Sequence, residues 1–133
     1  MSKTRTHKDL DVWNEAMRLA RGVYRLSAHL PREEAYGLTA QLRRAAVSVP
    51  SNIAEGAARS SRKEFVQFLY HALGSLAEIE TQLMLAKDLH NVQDKEVEET
   101  MERTRRMLLG LIRSLKQPRS AMGTVTTGGL HAN

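Results

Sequence analysis

A proline sits inside an apolar stripe that keeps its phase on both sides. In the stretch LTAQLRRAAVSVPSNIAEGAAR, residues 38–59, Leu38, Leu42, Ala45, Val49, Ile53 and Gly56 recur at steps of three or four and so share one helical face. Pro50 has no N–H to donate and crowds the carbonyl of Ala46, which costs roughly 3 kcal/mol or more inside a helix. A break and a fresh start would reset the phase. The stripe therefore predicts one continuous helix, kinked at Pro50. Packing on both sides must offset that cost, so the other helices are expected to wrap this one.

The flanking sequence supplies those helices. The first is expected to start at a cap on Asp9 or Asp11 and to run to about His29. It carries two adjacent stripes. One is Leu10, Trp13, Met17, Ala20, Tyr24 and Ser27; the other is Val12, Ala16, Leu19, Val23, Leu26 and Leu30. Such a wide apolar face belongs deep in a bundle or partly against another subunit. Pro31 ends this helix, and residues 31–34 form a short turn with acids near the positive end of helix two. Helix two has a second stripe of Gln41, Ser48, Asn52, Glu55 and Arg59. It reads either as a hydrogen-bonded seam, with Ser48 and Asn52 serving backbone groups freed at Pro50, or as a plain solvated face.

Ser61 and Glu64 have the spacing of a capping box that opens helix three. Phe65, Leu69, Ala72, Leu76, Ile79, Leu83, Ala86 and His90 form its core stripe, broadened by Phe68, Leu73, Met84 and Leu85. Asp94 is the expected cap of helix four, Lys95 to Lys116, with Val97, Met101, Thr104, Leu108, Leu111 and Leu115 inward. Its acidic first half and basic second half follow the helix dipole. Short connections make antiparallel neighbours. The expected architecture is all-α: an antiparallel up-down-up-down four-helix bundle with a Pro-kinked second helix, over residues 9–117. A flexible basic N-terminus (1–8) and a disordered tail (118–133) are expected to flank it.

With 133 residues the chain suits one domain, and without cysteine it has no disulfide, thiolate metal site or thiol nucleophile. No run of 18 apolar residues spans a membrane, and the charged N-terminus lacks a signal-like apolar stretch; both suit a cytoplasmic protein. His7, His29, His71, His90 and His131 do not pair at metal-ligand spacing. There is no phosphate loop and no nucleophile motif. The chain reads as non-enzymatic, with no metal, no cofactor and no small-molecule substrate.

Charge carries more information. The net charge is +5. Residues 32–63 hold six basic and three acidic side chains, whereas residues 64–90 hold one basic and four acidic. Two readings follow for Arg43, Arg44, Arg59, Arg62 and Lys63. They pair with Glu64, Glu78 or Glu80, within or between subunits, or they line a groove that tracks a phosphate backbone. Arg105, Arg106 and Arg113, in the basic half of helix four, would support the groove. No aromatic alternates with these residues along the chain, so base stacking is not expected, and binding would be salt-sensitive and weakly sequence-specific. Trp13, Phe65, Phe68 and Tyr70 read as core or interface, with Trp13 as an anchor of a subunit contact. Ser48, Asn52, Glu55 and Glu78 are the other candidate subunit contacts.

Several segments resemble a known family. Leu10-Asp11-Val12-Trp13, Tyr36-Gly37-Leu38-Thr39, the run from Gln41 to Gly56 containing RRAAVSVPSNIAEG, Gly74-Ser75-Leu76-Ala77-Glu78 and Glu80-Thr81-Gln82 look like the bacterial four-helix-bundle proteins encoded in intervening sequences of 23S rRNA genes. The match covers about residues 8–117 in order. It departs at Ala57-Ala58, where an aromatic and a glycine are common, and at Leu73, where a basic residue often stands. The resemblance implies a homopentamer with a central channel. It extends to the accessory protein of diversity-generating retroelements, a basic pentameric barrel that partners a reverse transcriptase and binds nucleic acid. Two functions stay open: a ring that binds RNA or DNA through Arg and Lys surfaces, or a scaffold that docks another protein.

Overall fold

The computed structural model describes residue 7 and residues 10–118. Four helices make up the fold: α1 (Asp11–Ser27), α2 (Leu38–Ala57), α3 (Arg62–His90) and α4 (Lys95–Lys116), with a single 3-10 turn at Arg32–Glu34 between the first two. Among the described residues there is no strand. Apart from His7 and Pro118, the segments expected to be loose lie outside the described residues.

α2 runs unbroken through Pro50, which is itself buried. The stripe that predicted this continuity forms its buried face: Leu38, Leu42, Ala45, Val49, Ile53 and Gly56 are all buried. The polar residues beside Pro50 form a seam. Ser48 Oγ lies 2.7 Å from Ser75 Oγ of α3, and Asn52 Nδ2 donates to the Ser48 carbonyl at 2.9 Å and to its hydroxyl at 3.0 Å. The carbonyl orphaned by Pro50 is that of Ala46, and no described side chain donates to it. The seam thus ties α2 to α3 rather than repairing the proline site.

Each helix packs its backbone closely on two neighbours in cyclic order, with α1 diagonal to α3 and α2 diagonal to α4. Cross-helix pairs run in opposite senses. Glu15 and Arg18 of α1 meet Arg103 and Glu96 of α4; Tyr70 and Glu80 of α3 meet Lys116 and Arg105 of α4. The core is aliphatic, with Leu19, Leu42, Ile53, Leu69, Leu76, Ile79 and Leu108 fully enclosed. Of the two α1 stripes, Val12 through Leu30 is buried throughout, while Trp13, Met17 and Tyr24 of the other stay at the margin. In α4 the stripe drifts at its end. Ile112 is buried and Leu111 and Leu115 are only half-buried, because a seven-residue repeat slips about 20° per heptad on a straight helix.

α2 and α3 approach closely at Gly56. A methyl group there would stand 2.8 Å from Phe68 Cβ, 2.9 Å from Phe65 Cδ1 and 3.2 Å from the Phe65 carbonyl. Two of those atoms belong to backbone or Cβ and cannot swing aside, so the missing side chain sets the spacing.

Caps explain most of the boundaries. Ser61 Oγ accepts from the Glu64 N–H at 3.1 Å, and Asp94 Oδ1 accepts from Glu96 and Val97 at 2.9 and 3.3 Å. α3 ends at Asn91, whose φ of 56° is left-handed. α1 differs from expectation. Leu10 occupies the cap position with no side-chain cap, and Asp11 is the first helical residue, where it complements the dipole instead. Asp9 lies outside the described residues. α1 also stops at Ser27, before His29, in tight turns from His29 to Leu26 and from Leu30 to Ser27.

One side-chain hydrogen bond joins the turn after α1 to the end of α3. Glu34 Oε1 accepts from the Leu38 N–H at 3.0 Å, and its Oε2 lies 2.8 Å from His90 Nε2. The Leu38 N–H first and the His90 ring second hold the Glu34 carboxyl below its ordinary range.

Candidate nucleic-acid interface

Antiparallel packing brings together charges that are far apart in sequence. Arg62 and Lys63 open α3; Arg113 and Lys116 close α4. Because α3 and α4 run in opposite senses, these four cations meet at one end of the molecule. The reversal that gathers them also gathers Asp94, Glu96, Glu98 and Glu99 at the other end, where Glu34 sits with His90. That other end also holds Arg21, Arg25, Arg32, Lys87 and Lys95, so its charges nearly balance, and the excess positive charge lies at the Arg62–Lys116 end.

Tyr70 stands in the middle of the basic end, 47% exposed. Lys116 Nζ makes a long 3.4 Å contact to its hydroxyl and lies 5.8 Å from the ring centroid. Tyr70 and Lys116 form a ridge between two open grooves. One, of about 420 Å³, is lined by Arg62, Lys63, Val66, Gln67 and Leu115. The other, of about 440 Å³, is lined by Leu109, Ile112, Arg113, Gln117 and Pro118. Each groove has an apolar floor and a cationic rim. Reading along the chain finds no aromatic among the basic residues; the fold puts one there.

None of the four cations forms an ion pair within the described chain. Other candidates are engaged. Arg43 turns toward the end of α1: its Nε donates to Ser27 Oγ at 2.8 Å, its guanidinium donates to the Tyr24 carbonyl at 3.3 Å, and it covers the Tyr24 ring at 4.6 Å. It therefore adds a charged donor to the last turn of α1, at a carbonyl that also accepts from the Ala28 N–H and the Ser27 hydroxyl. Arg59 pairs with Glu55 at 3.6 Å and stacks over Phe68 at 4.7 Å. Arg105 lies between Glu80 and Glu102 at 3.3 and 3.5 Å. The expected partners of the basic residues, Glu64 and Glu78, take no ion pair among the described residues. Arg44 and Arg106 are exposed. Arg44 is in the first half of α2, toward the opposite end of the bundle, and lines neither groove. Arg106 is two turns before Arg113 on the same side of α4.

The candidate subunit contacts divide similarly. Ser48 bonds Ser75 of α3, and Asn52 bonds Ser48 within α2. Glu55 holds Arg59, Trp13 is half-buried with its ring edge-on to His7, and Glu78 is exposed. A feature missed from sequence is the outer face of α3. Gly74, Ala77, Thr81 and Met84 lie opposite its buried side, all exposed and all uncharged.

A third groove, about 470 Å³, lies between α3 and α4 toward the other end, with Glu80, Glu98, Glu99 and Glu102 and also Lys87 and Lys95 on its rim. The rim is of mixed charge, with Glu80 and Glu102 already paired to Arg105. Among the described residues no three His, Asp or Glu side chains gather to hold a metal ion, and no helix is long and apolar enough to cross a membrane.

The fold has solved relatives. A crystal structure from Bacteroides thetaiotaomicron, described as a protein with unknown function from the S23 ribosomal protein family, superposes with a TM-score of 0.63. It shares 21% identity and covers 80% of this chain and 99% of its own, a likeness that shows the fold. No curated protein matches the sequence. The family model of the 23S rRNA-intervening sequence protein matches residues 8–112, nearly the whole bundle, and the chain belongs to that family.

Proposed function

We propose that this protein is a non-catalytic, self-assembling bundle that binds nucleic acid through its basic end. The observation that carries this reading is the gathering at one end of Arg62, Lys63, Arg113 and Lys116, none of which forms an ion pair among the described residues. Surface Arg and Lys with carboxylate neighbours are already neutralised; these four offer their charge to a polyanion. Arg106 extends the same surface. Arg43, Arg59 and Arg105 leave the binding set, because their guanidinium groups are held inside the chain.

Self-association is the second part of the reading. The uncharged outer face of α3 is unusual for a surface helix and suits contact with another copy. A homopentameric ring is the assembly implied by family resemblance. The alternative, a protein scaffold that partners a reverse transcriptase or another protein, would use the same face.

A gel-shift series with RNA tests the function. Neutralising about four phosphates predicts that affinity falls roughly fifty-fold on a single strand between about 50 and 200 mM salt. The double charge reversal Arg113→Glu with Lys116→Glu should abolish binding, whereas Arg43→Met should not. Absence of binding at low salt would leave the scaffold. Native mass spectrometry tests the ring: Ala77→Glu should shift any oligomer to monomer.

A further inference from the structure

The basic end holds more than charge. A site that only neutralised phosphates would need no exposed ring and no apolar floor. Here Tyr70 rises from α3 with nearly half its surface in solvent, and two grooves flank it. Their floors are Val66 and Leu115 on one side, Leu109 and Ile112 on the other. Lys116 touches the Tyr70 hydroxyl end rather than sitting squarely over the ring, so it holds the ring upright and leaves aromatic surface open. Arg62 and Lys63 rim one groove, and Arg113 rims the other.

We infer that this end binds single-stranded nucleic acid, with an unpaired base stacked on Tyr70 and the phosphates on either side held by Arg62 and Lys63 and by Arg113. The inference rests on the nucleic-acid reading above and narrows it. Duplex bases are stacked on one another and present no free face, so a lone tyrosine flanked by cations selects an open strand. An aromatic platform accepts any base, because every base has a π-face, so sequence preference is weak. Lys116 has a double part: it orients the tyrosine and lends charge to both grooves. Glu64, one turn into α3, is the nearby carboxylate and sets a limit on how far the strand follows α3.

The test compares uniform single-stranded RNA, single-stranded DNA of matching sequence and a duplex, by fluorescence anisotropy at low salt. The variants are Tyr70→Ala, Tyr70→Phe and the double reversal Arg113→Glu with Lys116→Glu. Tyr70→Ala should weaken single-strand binding roughly 5- to 150-fold, the effect of losing one stacked base. It should leave duplex binding unmoved. Tyr70→Phe keeps the ring and should bind within about two-fold of the parent, a change too small to count as a lost stack. Binding by either single strand supports the site, and the tighter one names its source. Salt-sensitive binding that is lost on charge reversal but indifferent to Tyr70→Ala overturns the stacking inference and spares the nucleic-acid reading. Duplex bound as tightly as single strand also overturns it. No binding to any of the three overturns both. Circular dichroism of each variant excludes unfolding as the cause, since Tyr70 is at the surface and its removal opens no cavity.

Discussion

Replacing Gly56 with alanine separates packing from helix propensity. In an ordinary helix interior, Gly→Ala stabilises by about 1 kcal/mol, because glycine loses more backbone freedom on folding. Gly56 is the second-to-last residue of α2, so its gain is smaller. Against that gain stands a methyl placed 2.8 Å from Phe68 Cβ and 3.2 Å from the Phe65 carbonyl. Neither obstacle can rotate away, so α2 and α3 must part by several tenths of an ångström. Overpacking of that kind costs about 1–3 kcal/mol. The control is Gly110→Ala in α4, where the nearest obstacle is the Arg113 guanidinium at 3.9 Å. Gly110 lies well inside α4 and takes the fuller propensity gain, so the difference holds the contact plus a few tenths of a kcal/mol of propensity: Gly56→Ala should fall below Gly110→Ala by at least about 1–3 kcal/mol, or about 1 M in urea midpoint. Urea unfolding followed by circular dichroism at one fixed protein concentration reads this directly. If Gly56→Ala is as stable as Gly110→Ala, the close approach of the two helices does not set their spacing, and the packing account fails.

Three further outcomes are expected. Arg43→Met should destabilise the fold by about 1.5 kcal/mol, since it strips a charged donor from Ser27 and the Tyr24 carbonyl, yet leave RNA affinity unchanged in the gel-shift assay. Glu34 has a lowered carboxyl pKa, so its contribution is fully present above the ordinary carboxylate range and is lost as pH falls through its lowered folded value. Thermal melts across the acid range should show a shallower decline for Glu34→Gln than for the parent. Gln82 is buried with Oε1 unpartnered, so Gln82→Met should raise stability by about 1 kcal/mol in denaturant unfolding; a loss of similar size would mean that the amide has a hidden partner.

What could be read in advance follows from what is local. The starts of α3 and α4 were legible because Ser61 and Asp94 cap with their own side chains within three residues. The α1 start was not, because Leu10 closes it through backbone and nothing in its side chain marks it. The continuity of α2 through Pro50 was legible because six apolar positions keep one phase. Arg43 looked like a surface charge since it lies off that stripe; its role depends on where α1 ends, 16 residues earlier. The Tyr70 site was illegible for the same reason on a larger scale. Its two halves lie 46 residues apart at Tyr70 and Lys116, and only the antiparallel turn of the chain at Asn91 makes them one surface. The α4 stripe misjudged Leu115 against Ile112 because a spacing rule ignores slow rotation of the pattern along a straight helix.

Unbalanced positive charge at one tip has a consequence before any contact forms. A body charged this way feels torque in the field of a polyanion. It rotates as it nears the strand, so that collisions begin tip-first and few are wasted on the flanks. Arrival should then slow with added electrolyte more steeply than departure does, which makes the encounter, rather than the grip, the stage at which ionic conditions govern this protein.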